Sequence, residues 1–354
     1  VVERSYSEVL AEVMASRQGI AVAGKRQGRV AAAMIGWTLA QAGLDPTVVL
    51  RGTASQFGGP GLAGQGSHAV VDVTAALDAA ILCETPPAIA LMLDLQSLNE
   101  SESKILLELV SRVSESGYLV AGADHAIFGM EPFAANPAVE SLSLERGSAW
   151  WGADLREERG RFRFRAFHKG NFASEIKLQV PGRSSVISAL AALAVCSRIE
   201  VPTLTIKEAL EDFEGVSRGF ESRGSYRGVT LLDDDSAGAI EVAEALALVR
   251  SVHGRRRLWT VFAPGGRACS ATSAALSATD HLILVDGGID SGDWECMLEE
   301  AGVHAHRVEN LDEAVLDLDR HLEPGDVLLT LGAGEVGTIA DAFIRRLSRD
   351  RQGR

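Results

Sequence analysis

Cysteine is scarce: the 354-residue chain has four, Cys83, Cys196, Cys269 and Cys296, widely spaced and without a C-x-x-C pair. That spacing argues against a disulfide scaffold and a zinc module, and reads as small buried hydrophobes in a reducing compartment. Long apolar runs are absent as well. No segment is fit to span a bilayer, and the opening VVERSYSEVLAEVMASRQG reads as an amphipathic helix rather than a secretion signal, so a cytoplasmic location is expected. The first residue is Val rather than Met, which leaves open an upstream segment, processing or an alternative start codon. Basic residues number 34 against 48 acidic ones, and a net charge of −14 repels polyanions, which argues against nucleic acid as a partner. At 46% hydrophobic and 23% charged, the remainder is a globular composition with apolar surface for two or three domains.

Hydrophobic patterning sets the fold class. Gly19 to Ala23 is a short apolar run, Lys25 to Arg29 a polar break, and Val30 to Ala42 a helix-like stretch, which together read as strand, loop and helix. Thr47 to Leu50, Ala69 to Val73, Ala88 to Leu93 and Tyr118 to Ala121 read as further buried strands, with a helix over Glu102 to Ser116. Alternating strands and helices imply a parallel sheet covered on both faces. From Val139 to Val180 the pattern shifts to alternation such as RFRFRAF and EIKLQV, expected of antiparallel strands with one face in water. Helices are expected over Arg183 to Ser197 and Thr205 to Phe213. A second series of strands runs through Val229 to Leu232, Leu258 to Phe262, His281 to Val285 and Asp326 to Leu331. The expectation is an α/β chain of two domains, residues 1–217 and 218–354. The Gly-rich stretch Phe57 to Gly66 reads as a mobile loop.

From Gly19 the chain runs GIAVAGKRQGRVAAAMIGWTLAQAGLDPTVVL, and here it resembles the Mur ligases, most closely the alanine-adding branch, which carry a GIAVAGTHGKTTT-type phosphate loop in this place. The likeness continues in VPGRSSVISALAALAV from Val180, FEGVSRGFESRGSYRGVTLLDDDSAGA from Phe213, WTVFAPGGRACS from Trp259 and DVLLTLGAGEVGTIADAF from Asp326. The resemblance implies a mostly parallel central ATPase-type domain followed by a Rossmann-like C-terminal domain. It also implies ATP and magnesium as cofactors, which activate a carboxylate of a nucleotide-sugar precursor for attack by an amino acid. A UDP-binding first domain is usual in the family, and this chain reads as starting after it.

A phosphate loop needs backbone N–H groups at a helix start, a lysine for the β- and γ-phosphates and a hydroxyl on magnesium. The family's Gly-Lys-Thr falls on Gly28, Arg29 and Val30 with a slip of one residue, or on Gln27, Gly28 and Arg29 without it. Neither register supplies the Lys–Thr pair; the remnant is Gly24, Lys25, Gly28 and Arg29, and Arg29 offers a planar fork in place of an ammonium. Carried over residue by residue, the magnesium-binding acidic segment corresponds to Asp72 or Asp78, and a second candidate magnesium remnant has Asp94 where Asn is expected, with Gln96 and Asn99 where Glu and His are expected. The adenine-contacting His-Asn pair becomes Ser184 and Ser185, and the arginine after Arg218 becomes Gly219. In the C-terminal domain Asp233 and Asp234 remain while two histidines become Ala237 and Gly238; Arg267 alone replaces lost charge, and Gly332 and Gly334 keep the late turn. Residues that shape the scaffold, such as Met34, Ile35, Trp37, Pro181 and Gly182, remain.

Several features carry two readings at this stage. Gly332, Gly334 and Gly337 spell G-x-G-x-x-G, either a dinucleotide site, which would make the chain a nicotinamide-dependent oxidoreductase, or a tight strand-to-helix turn. Lys25, Arg26 and Arg29 form an anion site or a solvated basic loop. Asp233 to Asp235 hold a cation or cap a helix. His304 and His306 share one side of a strand as metal ligands, or do nothing jointly. Arg255 to Arg257 read as a solvated turn. The preferred reading is a catalytically reduced Mur ligase relative, acting as a binding or regulatory component with a nucleotide-sugar precursor or a true Mur ligase as partner. The alternative is an active ATP-dependent amide-bond-forming ligase with a rebuilt site, in which Arg29 or Lys25 replaces the lysine and Asp72 holds magnesium.

Overall fold

A computed structural model describes residues 4–24, 26–73, 87–93, 104, 108, 113, 117–123, 138–217, 220–286, 291–332 and 334–352. The chain is mixed α/β and divides into two compact units, Val1–Val216 and Ser217–Arg354. The first unit opens with α1 (Tyr6–Ala15), whose start is fixed by a capping box: Ser5 Oγ accepts the Glu8 N–H and the Glu8 carboxylate accepts the Ser5 N–H. Then come β1 (Gln18–Ala23), α2 (Arg26–Gln41), β2 (Thr47–Ala54), β3 (Gly59–Leu62), β4 (His68–Val73), β5 (Ile89–Met92), β6 (Tyr118–Gly122) and β7 (Val139–Ser143). An antiparallel meander of β8 (Trp150–Glu158), β9 (Arg161–His168) and β10 (Asn171–Pro181) follows, and then α3 (Arg183–Arg198) and α4 (Thr203–Asp212).

These strands form one sheet in the order β10-β9-β8-β7-β6-β5-β1-β4-β2-β3. Its centre is parallel because every residue of β4 and β5, and all but the first of β1, is buried, so helices must cover both faces. Alternation along β1 decides which side chain goes where. Ile20 and Val22 join the core under α2 and α3, with Met34, Ile35 and Leu190. Ala21 and Ala23 join the opposite core under α1, with Leu10 and Met14. In β9 and β10 burial alternates, leaving one face wet.

The second unit contains β11 (Glu221–Tyr226), β12 (Val229–Asp234), α5 (Ala239–His253), β13 (Leu258–Ala263), α6 (Ser270–Leu276), β14 (His281–Val285) and α7 (Ser291–Glu300). It closes with β15 (Ala305–Val308), α8 (Leu311–His321), β16 (Val327–Gly332) and α9 (Thr338–Gln352). The sheet order is β11-β12-β16-β13-β14-β15, and only the edge strand β11 is antiparallel to its neighbour.

Four sequence expectations need correction. Of the cysteines read as small buried hydrophobes, Cys196 is buried, whereas Cys269 and Cys296 are exposed. Helix α2 begins at Arg26, four residues before Val30, so most of the supposed polar loop is the first turn of the helix. The stretch Phe57 to Gly66 contains strand β3, paired antiparallel with β2. Its glycines permit backbone contact: a Cβ on Gly61 would lie 1.9 Å from the Val48 carbonyl oxygen, and one on Gly66 would lie 1.9 Å from that of Leu44. Arg255 is exposed in a turn, as expected, but Arg256 and Arg257 are not merely solvated. Arg257 pairs with the nearly buried Asp326 at 2.7 Å, and Arg256 donates to the Thr230 hydroxyl and the Asp326 carbonyl. The helix expected over Glu102 to Ser116 lies outside the described residues except at Lys104, Glu108 and Val113, which are helical.

Three hairpins turn on a basic residue followed by glycine, Arg159-Gly160, Lys169-Gly170 and Arg227-Gly228, all at positive φ. Two-residue hairpin loops want left-handed residues, and Asn meets that demand at lower cost than Arg or Lys. Arg159 (φ 52°) is exposed, so Arg159→Asn should raise stability by about 0.5 kcal/mol in urea titration. Gly61→Ala should lower it by roughly 2 kcal/mol or more, because a methyl group there meets backbone rather than a movable side chain. An unchanged unfolding midpoint for Gly61→Ala would contradict the close pairing of β2 and β3.

Candidate functional site

The strand-to-helix turn expected to hold phosphate lies at the C-terminal edge of the first sheet. Strand β1 ends at Ala23 and α2 starts at Arg26, so two residues connect them. Gly24 is the first, at φ 147°; Lys25 is outside the described residues. Gly28 is buried in the first turn of α2, where an added Cβ would lie 3.1 Å from the Ala23 carbonyl carbon and 3.2 Å from its oxygen. The helix backbone therefore rests directly on the strand end. Arg29 leaves the same turn, with its Cδ 3.3 Å from where a Cβ on Gly52 would sit. Asp72 is fully buried opposite Val22, and its carboxylate accepts the Arg51 N–H at 3.2 Å. Arg29 and Asp72 thus lie against adjacent residues of β2, Gly52 and Arg51 respectively.

The structure brings Gly24, Gly28, Arg29 and Asp72 to one sheet edge. Asp78 and Asp94, like Gln96 and Asn99, fall outside the described residues. Val30 to Ala33 are buried core, so apolar packing occupies the positions where the resemblance places hydroxyls. Ser184 and Ser185 are buried at the start of α3, and the Ser185 hydroxyl donates to the Pro181 carbonyl at 2.7 Å. Ser188 donates to the Gln27 carbonyl at 2.9 Å, tying α3 to the first turn of α2.

In the second unit β12, β16 and β13 are parallel neighbours, so Asp233 and Asp234, Gly332 and the segment after Ala263 meet at one C-terminal edge. The two acids are buried. Asp233 accepts the Thr330 hydroxyl at 2.6 Å, and Asp234 accepts the Ser236 N–H at 2.8 Å, which closes a turn. Gly332 (φ 120°) has no room for a Cβ, which would lie 2.0 Å from the Ala263 carbonyl oxygen; a Cβ on Gly337 would lie 2.6 Å from the Asp233 carboxylate. Gly334 follows at φ 74°. This glycine pattern has a packing cause at two of its three positions, in keeping with the tight-turn reading. Arg267 is exposed on the segment after β13, which is anchored by the Trp294 indole N–H donating to the Gly266 carbonyl at 3.1 Å. His304 precedes β15, whereas His306 lies within it and pairs with Asp317 at 3.0 Å. Among the described residues no group of three His, Cys, Asp or Glu side chains could hold a metal.

A third constellation had no signal in the sequence. Glu140 of β7 is buried and accepts from the Tyr118 hydroxyl at 2.6 Å, the Trp150 indole N–H at 2.7 Å, Lys169 at 2.8 Å and His168 Nε2 at 3.1 Å. Burial alone raises its pKa, but the hydrogen bonds from Lys169, Tyr118 and His168 outweigh that and hold it at about 2. The Trp150 and His168 rings stack at 4.1 Å. Most of these partners are 10 to 28 residues away in sequence, so only strand order unites them.

Comparison with known proteins places this geometry. The model for the "Mur ligase, glutamate ligase domain" matches residues 219–334. The UDP-N-acetylmuramate–L-alanine ligase of Desulfosudis oleivorans is 31% identical over 364 residues, which span 95% of this chain and 78% of that protein. The chain belongs to the Mur ligase family. The corresponding ligase of Persephonella marina is 30% identical, over 98% of this chain and 78% of its own length. The crystal structure of UDP-N-acetylmuramate-alanine ligase MurC from Thermotoga maritima shares the fold with a TM-score of 0.79 at 20% identity, covering 98% of this chain and 78% of that one. MurF ligase from Thermotoga maritima in complex with ADP gives 0.74 at 15% identity, covering 99% and 86%. Both sheets of this Mur ligase relative are mostly parallel, and no helix among the described residues is long and apolar enough to cross a membrane.

The Glu140 cluster contributes to the stability of this fold in acid. A carboxyl held at about 2, against an ordinary 4.5, contributes stability that is full above pH 4.5 and lost as the pH falls toward 2, roughly 3 kcal/mol in all. Glu140→Gln should lower stability at pH 7 and flatten the pH dependence of the unfolding midpoint between pH 4.5 and 2. Parallel curves for the two proteins over that range would show that Glu140 does not set it.

Proposed function

We propose that this chain is a Mur ligase relative that has kept the fold and lost the ligase chemistry. It acts as a binding or regulatory component of peptidoglycan precursor synthesis, holding either a nucleotide-sugar precursor of the UDP-N-acetylmuramate type or a catalytically competent Mur ligase. The family and the names of its relatives support the setting. The observation that carries the loss of chemistry is the two-residue connection between β1 and α2, with Gly28 packed on Ala23.

Mg-ATP does not fit the residues described at that edge. A phosphate cradle needs a loop whose N–H groups converge on an anion, whereas here the first turn of α2 lies against the end of β1. In a phosphate-loop site the helix start gives magnesium a hydroxyl ligand, and Val30 at that place is core. The buried Asp72 carboxylate accepts a backbone N–H from Arg51. One observation favours the other reading, an active amide-forming ligase: Arg29 and Asp72 lie against adjacent residues of β2 and bring one basic and one acidic side chain to the same strand.

The two readings separate in a titration of the full chain with ATP, with and without magnesium. One intact site at ligand a hundredfold above Kd stabilises a fold by about 2.7 kcal/mol. The expected outcome is no magnesium-dependent rise in Tm and no amide product with UDP-N-acetylmuramate and alanine. A large magnesium-dependent rise that Arg29→Ala abolishes would establish the active ligase instead.

A further inference from the structure

The N-terminal edge of the first sheet lies at the opposite end of β1 from the phosphate-loop remnant. There Tyr118, Glu140, Trp150, His168, Lys169 and Arg198 line a cavity of about 560 Å³, a size typical of small-molecule sites. A second cavity of about 220 Å³ shares Tyr118 and Arg198 and reaches Gln18 and His68 at the starts of β1 and β4.

The hydrogen-bonding capacity of this cluster is unbalanced. A carboxylate accepts about four hydrogen bonds, and Glu140 already receives four, so it has nothing left for a ligand's donors. Lys169 contacts it with an ammonium that has three N–H groups and is largely exposed. Arg198 brings five more. Its guanidinium lies 5.3 Å from the Tyr118 ring centroid and makes no ion pair or side-chain hydrogen bond among the described residues. Glu200 lines the same cavity in a left-handed turn (φ 65°) and does not pair with Arg198.

Arg198 is the last residue of α3, where a cation could serve merely to satisfy the helix end. That role is already filled. The carbonyls of Val195, Cys196 and Ser197 accept the backbone N–H groups of Ile199, Val201 and Glu200. The guanidinium is instead positioned from outside the helix: Glu140 fixes the Tyr118 hydroxyl at 2.6 Å, and the Tyr118 ring supports Arg198.

We propose that this cavity binds a small organic oxyanion, a phosphate or carboxylate group held by Arg198 and Lys169 beside the Trp150–His168 stack. A guanidinium fork matches either anion in bidentate fashion. The site is independent of the phosphate-loop remnant and of the function proposed above.

The test titrates the full chain at low ionic strength with inorganic phosphate and, separately, with citrate, followed by calorimetry and thermal shift. Arg198→Gln and Lys169→Asn remove the two cations; Asn suits the left-handed turn position that Lys169 occupies at φ 48°. Saturable binding of at least one anion is expected, weakened about tenfold or more by Arg198→Gln and less by Lys169→Asn, with Arg29→Ala unaffected. Phosphate alone would identify a phosphoryl ligand, citrate alone a carboxylate, and both an oxyanion site indifferent to its source. Absence of saturable binding up to about 20 mM, or equal affinity in Arg198→Gln of unchanged Tm, would overturn the proposal.

Discussion

The contact that organises the first unit is that of the opening turn of α2 with the end of β1. Gly28 brings helix backbone to within van der Waals distance of the Ala23 carbonyl, and the hydroxyl of Ser188 on α3 ties down the same turn through the Gln27 carbonyl. With the helix seated there, Val30, Met34 and Ile35 descend into the core over Ile20 and Val22. The early start of the helix lets its first turn pack on the strand end while the apolar face that follows fills the core.

A second constraint acts where the sheet changes character. Strands β6 and β7 are parallel, whereas β8 and β9 run antiparallel, and Glu140 sits beside that change holding donors from β6, β8, β9 and the turn after β9. A buried carboxylate is costly unless its acceptors are filled, and here they are. Breaking one partner would leave charge or donors exposed to low dielectric, so the cluster fixes the register of four chain segments at once. It also leaves a cationic, aromatic-walled cavity at that edge.

Much of the architecture was readable from apolar periodicity. The buried runs at Ala69 and Ala88, the alternation in RFRFRAF and the helix from Arg183 correspond closely to β4, β5, β9 and α3. Errors fell where local polarity misled. Lys25 to Arg29 looks like a loop because it is charged, yet from Arg26 onward the backbone is already the first turn of α2. The glycines of Phe57 to Gly66 look like flexibility, yet Gly61 and Gly66 make room for neighbouring carbonyls. Arg256 and Arg257 look like surface charge, but they hold Asp326 and the start of β16, partners about 70 residues away.

By itself the sequence determined the α/β class, the two series of strands and helices, and the residue types available at the turn between β1 and α2, because each follows from side-chain chemistry and short-range spacing. No tertiary contact can turn Val30 into a hydroxyl donor. Only the tertiary structure decided that α2 closes onto Ala23, that Arg29 and Asp72 lie against adjacent residues of β2, and that Glu140 gathers Tyr118, Trp150, His168 and Lys169. These depend on strand order and register, which set which distant residues become neighbours, and a one-dimensional pattern carries no such distances.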